Sequence, residues 1–271
     1  MSRKKGFTLI EVAIFLVITG ALFVAVTVGV QNSIYQQRYN DSVQGFVDFL
    51  KNVYSSVTNT ENLPGGGRSD KAIYGKLVTF GESKSPSNSE ENYDENTIYV
   101  YNVIGDVNEE DAIGSGNALD ILTALNADVA AADGDSSAKA FGIIESYTPR
   151  WAAQIQNTDN YNLFKGALLI VRHPSSGTVY TFAMKGEDET IEVNQRINAT
   201  GIEGSYNNIL MDYLNEKFFK LEQVDFCINP EGDEASTIRR DVRINANARN
   251  SSSISIVPND SDNYACAVKS E

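Results

Sequence analysis

The sequence predicts an α+β fold, in which one long N-terminal helix packs on an antiparallel sheet. Three observations predict it. No Pro occurs before Pro64, and apolar residues recur at helical spacing as far as Val57. A sharp stop follows at Asn62-Leu63-Pro64-Gly65-Gly66-Gly67, which no helix continues through. Beyond it, short β-branched and aromatic runs alternate with turns rich in Gly, Pro, Ser and Asn, the pattern of strands packed beside a helix.

The first half of the helix is apolar. Arg3, Lys4 and Lys5 form a basic leader, and from Val12 to Val30 no residue is charged. At 1.5 Å per residue that run measures roughly 28 Å, enough to cross a bilayer. The basic leader predicts that the N-terminus stays in the cytoplasm. One acid, Glu11, stands at the start of this run. A carboxylate at membrane depth costs about 2.5–3.5 kcal/mol on insertion scales and points to a functional role.

The second half is amphipathic. Tyr39, Val43, Phe46, Leu50, Val53 and Val57 mark one face, with Val47 and Tyr54 beside the stripe, and Asp41, Gln44, Asp48, Lys51 and Asn52 lie opposite. This spacing predicts one helix from Phe7 to about Val57, roughly 75 Å long.

Ile73 to Phe80 and Thr97 to Ile104 read as strands, separated by a polar loop over residues 82–96. Asn117 to about Ala131 carries Leu119, Leu122, Leu125 and Val129 at helical spacing. Pro149 to Gln156 is expected to form one or two helical turns. Ala167 to Met184 is the clearest hairpin, with Pro174-Ser175-Ser176-Gly177 as its turn. Tyr206 to Phe219 reads as a helix. Leu221–Ile228, Ile238–Ala246, Ser252–Val257 and Tyr264–Val268 read as strands.

Chemistry beyond the leader is sparse. The single histidine, His173, lies beside a turn and is expected to be structural or solvent-exposed rather than catalytic. No His pair, Cys-x-x-Cys, P-loop or Gly-x-Ser-x-Gly elbow occurs, so the expectation is a non-enzyme with no cofactor and no bound metal. Asp106 to Asp111 and Asp133-Gly134-Asp135 offer oxygen ligands without the EF-hand arrangement, and are open to two readings: a solvated acidic loop, which is expected, or a calcium site. The net charge of −14 suits an exported, self-repelling body and argues against non-specific nucleic-acid binding. Arg239, Arg240, Arg243 and Arg249 form a basic cluster, open to three readings: charge balance within the fold, contact with a neighbouring subunit, or DNA contact. Asn198-Ala-Thr200 and Asn250-Ser-Ser252 match the N-glycosylation pattern and suggest surface loops. The two cysteines, Cys227 and Cys266, read as one disulfide in an exported domain, or else as two buried thiols.

The segment Lys4-Lys5-Gly6 followed by Phe7-Thr8-Leu9-Ile10-Glu11 resembles the class III leader of type IV pilin-like proteins. An ordinary signal peptide has a shorter apolar core with its cleavage site after it. Here the one small residue suited to cleavage, Gly6, comes before the apolar run. The resemblance implies a pilin fold with an enlarged head, the extra length lying in about residues 82–160. It implies cleavage by prepilin peptidase between Gly6 and Phe7, N-methylation of Phe7, and pairing of Glu11 with the Phe7 amine of a neighbouring subunit. A C-terminal loop closed by Cys227–Cys266 also fits the family. The implied organisation is a leader (1–6), a membrane or filament-core helix (7–30), an amphipathic half (31–60) and a head (61–271). Many members carry a Pro late in the membrane segment. This chain has Val28 and Gly29 there, with Gly20 upstream, so loosening of the helix falls on the glycines or is weak.

The function implied is that of a type IV pilus subunit, with other pilin subunits, the peptidase and an inner-membrane assembly platform as partners. Its location is the cytoplasmic membrane and then the extracellular filament. Alternatives within the resemblance are a pseudopilin of type II secretion or competence and a tip-located minor pilin or adhesin.

Overall fold

The computed structural model describes residues 9–58, 72–81, 96–105, 128–129, 143–158, 162–173, 176–185, 219–221, 223–230, 239–258 and 265–266. Its spine is one helix, α1 (Leu9–Thr58), which runs without a break through Gly20 and Gly29. The predicted stripe is the buried face: Tyr39, Val43, Phe46, Val47, Leu50, Val53, Tyr54 and Val57 are all buried. Phe49 widens it by stacking on Tyr147 with ring centroids 4.6 Å apart.

Two antiparallel sheets receive this face. The larger contains β1 (Ala72–Phe80), β2 (Ile98–Gly105), β3 (Asp128–Val129), β4 (Ile143–Tyr147), β6 (Gly166–Arg172), β7 (Val179–Lys185) and β8 (Phe219–Lys220). Its order is β3-β2-β1-β6-β7-β8, with β4 also paired to β2. The smaller has the order β11-β10-β9-β5, built from β5 (Gln154–Gln156), β9 (Val224–Asn229), β10 (Arg240–Ile244) and β11 (Ile254–Val257).

One core joins the helix to both sheets. Val78, Val100, Leu168 and Ile170 enter it from the larger sheet, and Phe226, Ile228, Val242 and Ile244 from the smaller. Phe226 is its hub, with ring centroids 5.4 Å from Phe46, 5.3 Å from Phe80 and 4.7 Å from Phe164. The opposite face of the larger sheet is covered too, since Leu77, Tyr101, Leu169 and Phe182 are fully buried. That is why GALLIVR is a continuous apolar run: a strand buried on both sides needs no alternation.

Polar ties fix the helix on the sheets. The Tyr39 hydroxyl donates to the Ile228 carbonyl at 2.7 Å. Thr181 donates to the Ala248 carbonyl at 2.9 Å, so its oxygen accepts from Tyr54 at 2.9 Å. Burial raises the Tyr54 phenol well above its ordinary value and keeps it a neutral donor.

The β6–β7 hairpin forms as expected. Its turn is closed by the His173 amide to the Thr178 carbonyl at 2.8 Å and by the Gly177 amide to the His173 carbonyl at 2.9 Å. Gly177 sits at φ 67°, where a Cβ is disfavoured. His173 is buried and its Nδ1 accepts from the Ser176 amide at 3.3 Å, a structural role rather than the solvent-exposed one also expected.

Four expectations need correction. The helical spacing over 117–131 ends in a strand, because Asp128 and Val129 pair with Ile104 and Val103. The rest of that segment lies outside the described residues. Residues 149–156 do not make helical turns: a tight turn at Trp151 and Ala152 leads into β5, which pairs with β9. The run 221–228 is divided, with Leu221 between β8 and β9. Ala265 and Cys266 form a turn rather than a strand. The predicted helix over 206–219 lies outside the described residues except Phe219, which is in β8.

Candidate assembly segment and C-terminal loop

The apolar half of α1 stands clear of the head. Leu9 is 89 % and Phe23 74 % exposed, and an 18-residue window with mean hydropathy 2.7 has none of its residues buried. So large a contiguous apolar surface marks a membrane or protein contact. Its hydroxyls are satisfied within the helix: Thr19 donates to the Phe15 carbonyl and Thr27 to the Phe23 carbonyl, both at 2.8 Å. The helix backbone and these two hydroxyls are thus internally bonded, as lipid requires.

Glu11 lies in the first turn of α1 and is exposed. The positive end of the helix dipole favours an acid there by about 0.3–1 kcal/mol. That is well below the roughly 2.5–3.5 kcal/mol insertion cost, so the dipole alone does not account for an acid at this position. Gly6 and Phe7 lie outside the described residues.

The second predicted feature is present. Cys227 and Cys266 form a disulfide with Cα atoms 5.5 Å apart. It closes a 39-residue separation, which the chain-entropy model equates with about 4 kcal/mol. Strand alternation explains where it lies. Phe226, Val242 and Ile244 point into the core, while Asp225, Cys227, Asp241 and Arg243 share the opposite face of the smaller sheet. Arg243 is paired with Asp225 directly across from it on β9, and its other guanidinium nitrogen lies 3.3 Å from Asp241. The Ala265 amide donates to Asp241 at 3.1 Å. The C-terminal turn is therefore pinned by the disulfide and by a carboxylate.

For Arg243 this geometry favours charge balance within the fold. Arg239 is buried, and Arg249 is exposed. Sequence reasoning passed over Asp225 and Asp241, although the charge at alternate positions in VDFCIN and RDVRI was the available signal. Asn250 uses its side chain as a cap, accepting from the Ser252 amide at 3.0 Å. Asn198 and the acidic runs 106–111 and 133–135 lie outside the described residues. Among the described residues no group of three or more His, Cys, Asp or Glu is placed to hold a metal.

Burial pushes the Asp241 carboxyl up to about 6, against the smaller lowering effect of the Ala265 amide. A folded-state pKa above the unfolded one means the fold binds the proton better. The stability contributed is therefore greatest at acid pH and lost as pH rises through about 4 to 6. Asp241→Asn removes this dependence. Its melting temperature relative to the parent is expected to rise between about pH 4 and pH 7, read by circular dichroism, and a constant difference contradicts the assignment.

A family model described as the prokaryotic N-terminal methylation motif matches residues 1–27. No curated protein and no solved structure is significantly similar to the chain.

Proposed function

We propose, from the premise that the chain is a type IV pilin-like protein, that it is a structural subunit of a type IV pilus filament and acts by assembly rather than catalysis. The observation that carries this reading is the joint placement of a methylation motif over residues 1–27 and a bare apolar helix on the same spine. Prepilin peptidase cuts between Gly6 and Phe7, and Phe7 becomes the methylated N-terminus. The helix holds the subunit in the cytoplasmic membrane, N-terminus inside, until the assembly platform draws it into the filament. There the apolar halves bundle centrally and the acidic heads face outward, where like charge keeps neighbouring filaments apart.

Glu11 sets the register. Its insertion cost is relieved when the Phe7 amine of a neighbour, a cation created by the cleavage, pairs with it in the apolar bundle. A buried carboxylate is stable only when paired. The disulfide and Asp241 hold the C-terminal turn against the head during export.

Electron microscopy of sheared surface fractions tests this directly. The expected result is long fibres labelled along their length by antibody to the head. Label confined to fibre ends indicates a tip-located minor pilin, and its absence from fibres indicates a pseudopilin of type II secretion or competence.

A further inference from the structure

A second feature lies on the head near the apolar half of α1. Arg38 is the only basic residue between Lys5 and Lys51, and it lies eight positions beyond Val30, the end of the apolar run. At 1.5 Å per residue that is about 12 Å along the helix axis. A Cα–Cβ bond in a helix tilts toward the N-terminus, so the side chain of Arg38 leaves α1 on the side of its apolar half. Its guanidinium lies 4.6 Å from the centre of the Trp151 ring. Trp151 is the only tryptophan in the chain and is 51 % exposed. Tyr35, one helical turn closer to the membrane, lines the same groove of about 490 Å³ with Arg38, Tyr39 and Pro230.

The loop that presents Trp151 is held in an unfavourable shape. Trp151 and Ala152 have φ of 59° and 55°, two consecutive left-handed residues, neither of them glycine. Such strain persists only where surrounding structure enforces it, and it collects at binding sites. Here Asn96 enforces it: its amide donates to the Ala153 carbonyl at 2.6 Å, and its oxygen accepts from the Ile155 amide at 3.2 Å. An exposed indole is thereby fixed against an arginine on the membrane-proximal part of the head.

We propose that Arg38, Trp151 and Tyr35 form a seat for phospholipid headgroups at the outer surface of the membrane that α1 crosses. The inference rests on the membrane-anchored state proposed above. The depth fits: headgroup regions extend about 5–8 Å beyond the hydrocarbon, which leaves about 4–7 Å to Arg38 along the helix axis, a gap that a long side chain spans. The chemistry fits as well. Indole and phenol rings concentrate at the membrane interface. A guanidinium stacked on a ring keeps its edge N–H donors free to engage phosphate oxygens. In a chain of net charge −14, this cation offsets repulsion from an anionic leaflet locally. The seat would hold the head in one orientation on the bilayer before extraction.

Because Trp151 is the sole tryptophan, its fluorescence reports this site alone. The full chain is reconstituted in vesicles of phosphatidylcholine and phosphatidylglycerol and quenched with headgroup-attached nitroxide lipid or with aqueous iodide. The expected result is nitroxide quenching at least about twofold stronger than that by an acyl-chain nitroxide near the bilayer centre, with iodide quenching reduced by a similar factor relative to detergent micelles. Arg38→Gln is expected to reverse most of this protection in phosphatidylglycerol vesicles, with an unchanged melting temperature showing that the head is folded. Vesicle-bound protein whose Trp151 stays open to iodide overturns the seat while leaving the membrane anchor standing. Protein that does not float with the vesicles overturns both. Protection unchanged by Arg38→Gln overturns the phosphate contact.

Discussion

Replacing Glu11 with Leu is expected to leave the subunit in the membrane and to reduce its incorporation into filaments by at least about tenfold, a loss equivalent to about 1.4 kcal/mol. The two effects have opposite signs, which makes the test selective. Removing the carboxylate eliminates an insertion cost of about 2.5–3.5 kcal/mol, and Leu itself favours the bilayer by a few tenths of a kcal/mol. Membrane retention is therefore expected to be unchanged or improved. In the filament, the Phe7 amine of the neighbour would lose its counter-charge in a low-dielectric bundle, where an unpaired ion is strongly disfavoured. Immunoblots of membrane and sheared-fibre fractions give the ratio. Filaments from Glu11→Leu at normal yield would remove the pairing mechanism.

Phe226→Ala is expected to destabilise the head by about 3–5 kcal/mol. Phe226 is fully buried and touches rings from the helix spine and from the larger sheet through Phe46 and Phe80, with Phe164 closing the cluster. These four rings bind the smaller sheet to the rest of the head, and little room exists for collapse around a cavity at their centre. At about 2–4 °C per kcal/mol for a domain of this size, the melting temperature should fall by roughly 10 °C. Thermal denaturation of the detergent-solubilised chain reads this, with Ile256→Ala as the comparison, since Ile256 is 38 % exposed. Equal effects at the two positions would show that the ring cluster is not the centre of the core.

The helix was legible because its signals are local and repeated. The stripe from Tyr39 to Val57 recurs at every turn and is the buried face of α1. The β6–β7 hairpin was legible for the same reason, since two β-rich runs flank a turn containing Gly177. The disulfide followed from an even cysteine count in a chain read as exported. What misled was short and decided by partners distant in sequence. Val129 fits a helical spacing, yet pairing with Val103 places it in a strand. Gln154 to Gln156 becomes a strand through β9, some 70 residues away. The division of the strands into two sheets, and the role of Phe226 between them, depend on which faces meet across the core. No local pattern encodes that. Glu11 stands out in the sequence because an acid in an apolar run contradicts its surroundings, and its role, with those of Gly6 and Phe7, belongs to the proposed function. Trp151 and Arg38 were not, because they meet only once the chain is folded.

Gly6 and Phe7 are decisive, because the cation assigned to Glu11 exists only if cleavage occurs between them. Mass spectrometry of the mature N-terminus tests this most directly. The predicted result is a chain beginning with N-methylated Phe7 and retaining the whole of α1. An intact Met1, or a chain cut after Val30, would contradict it.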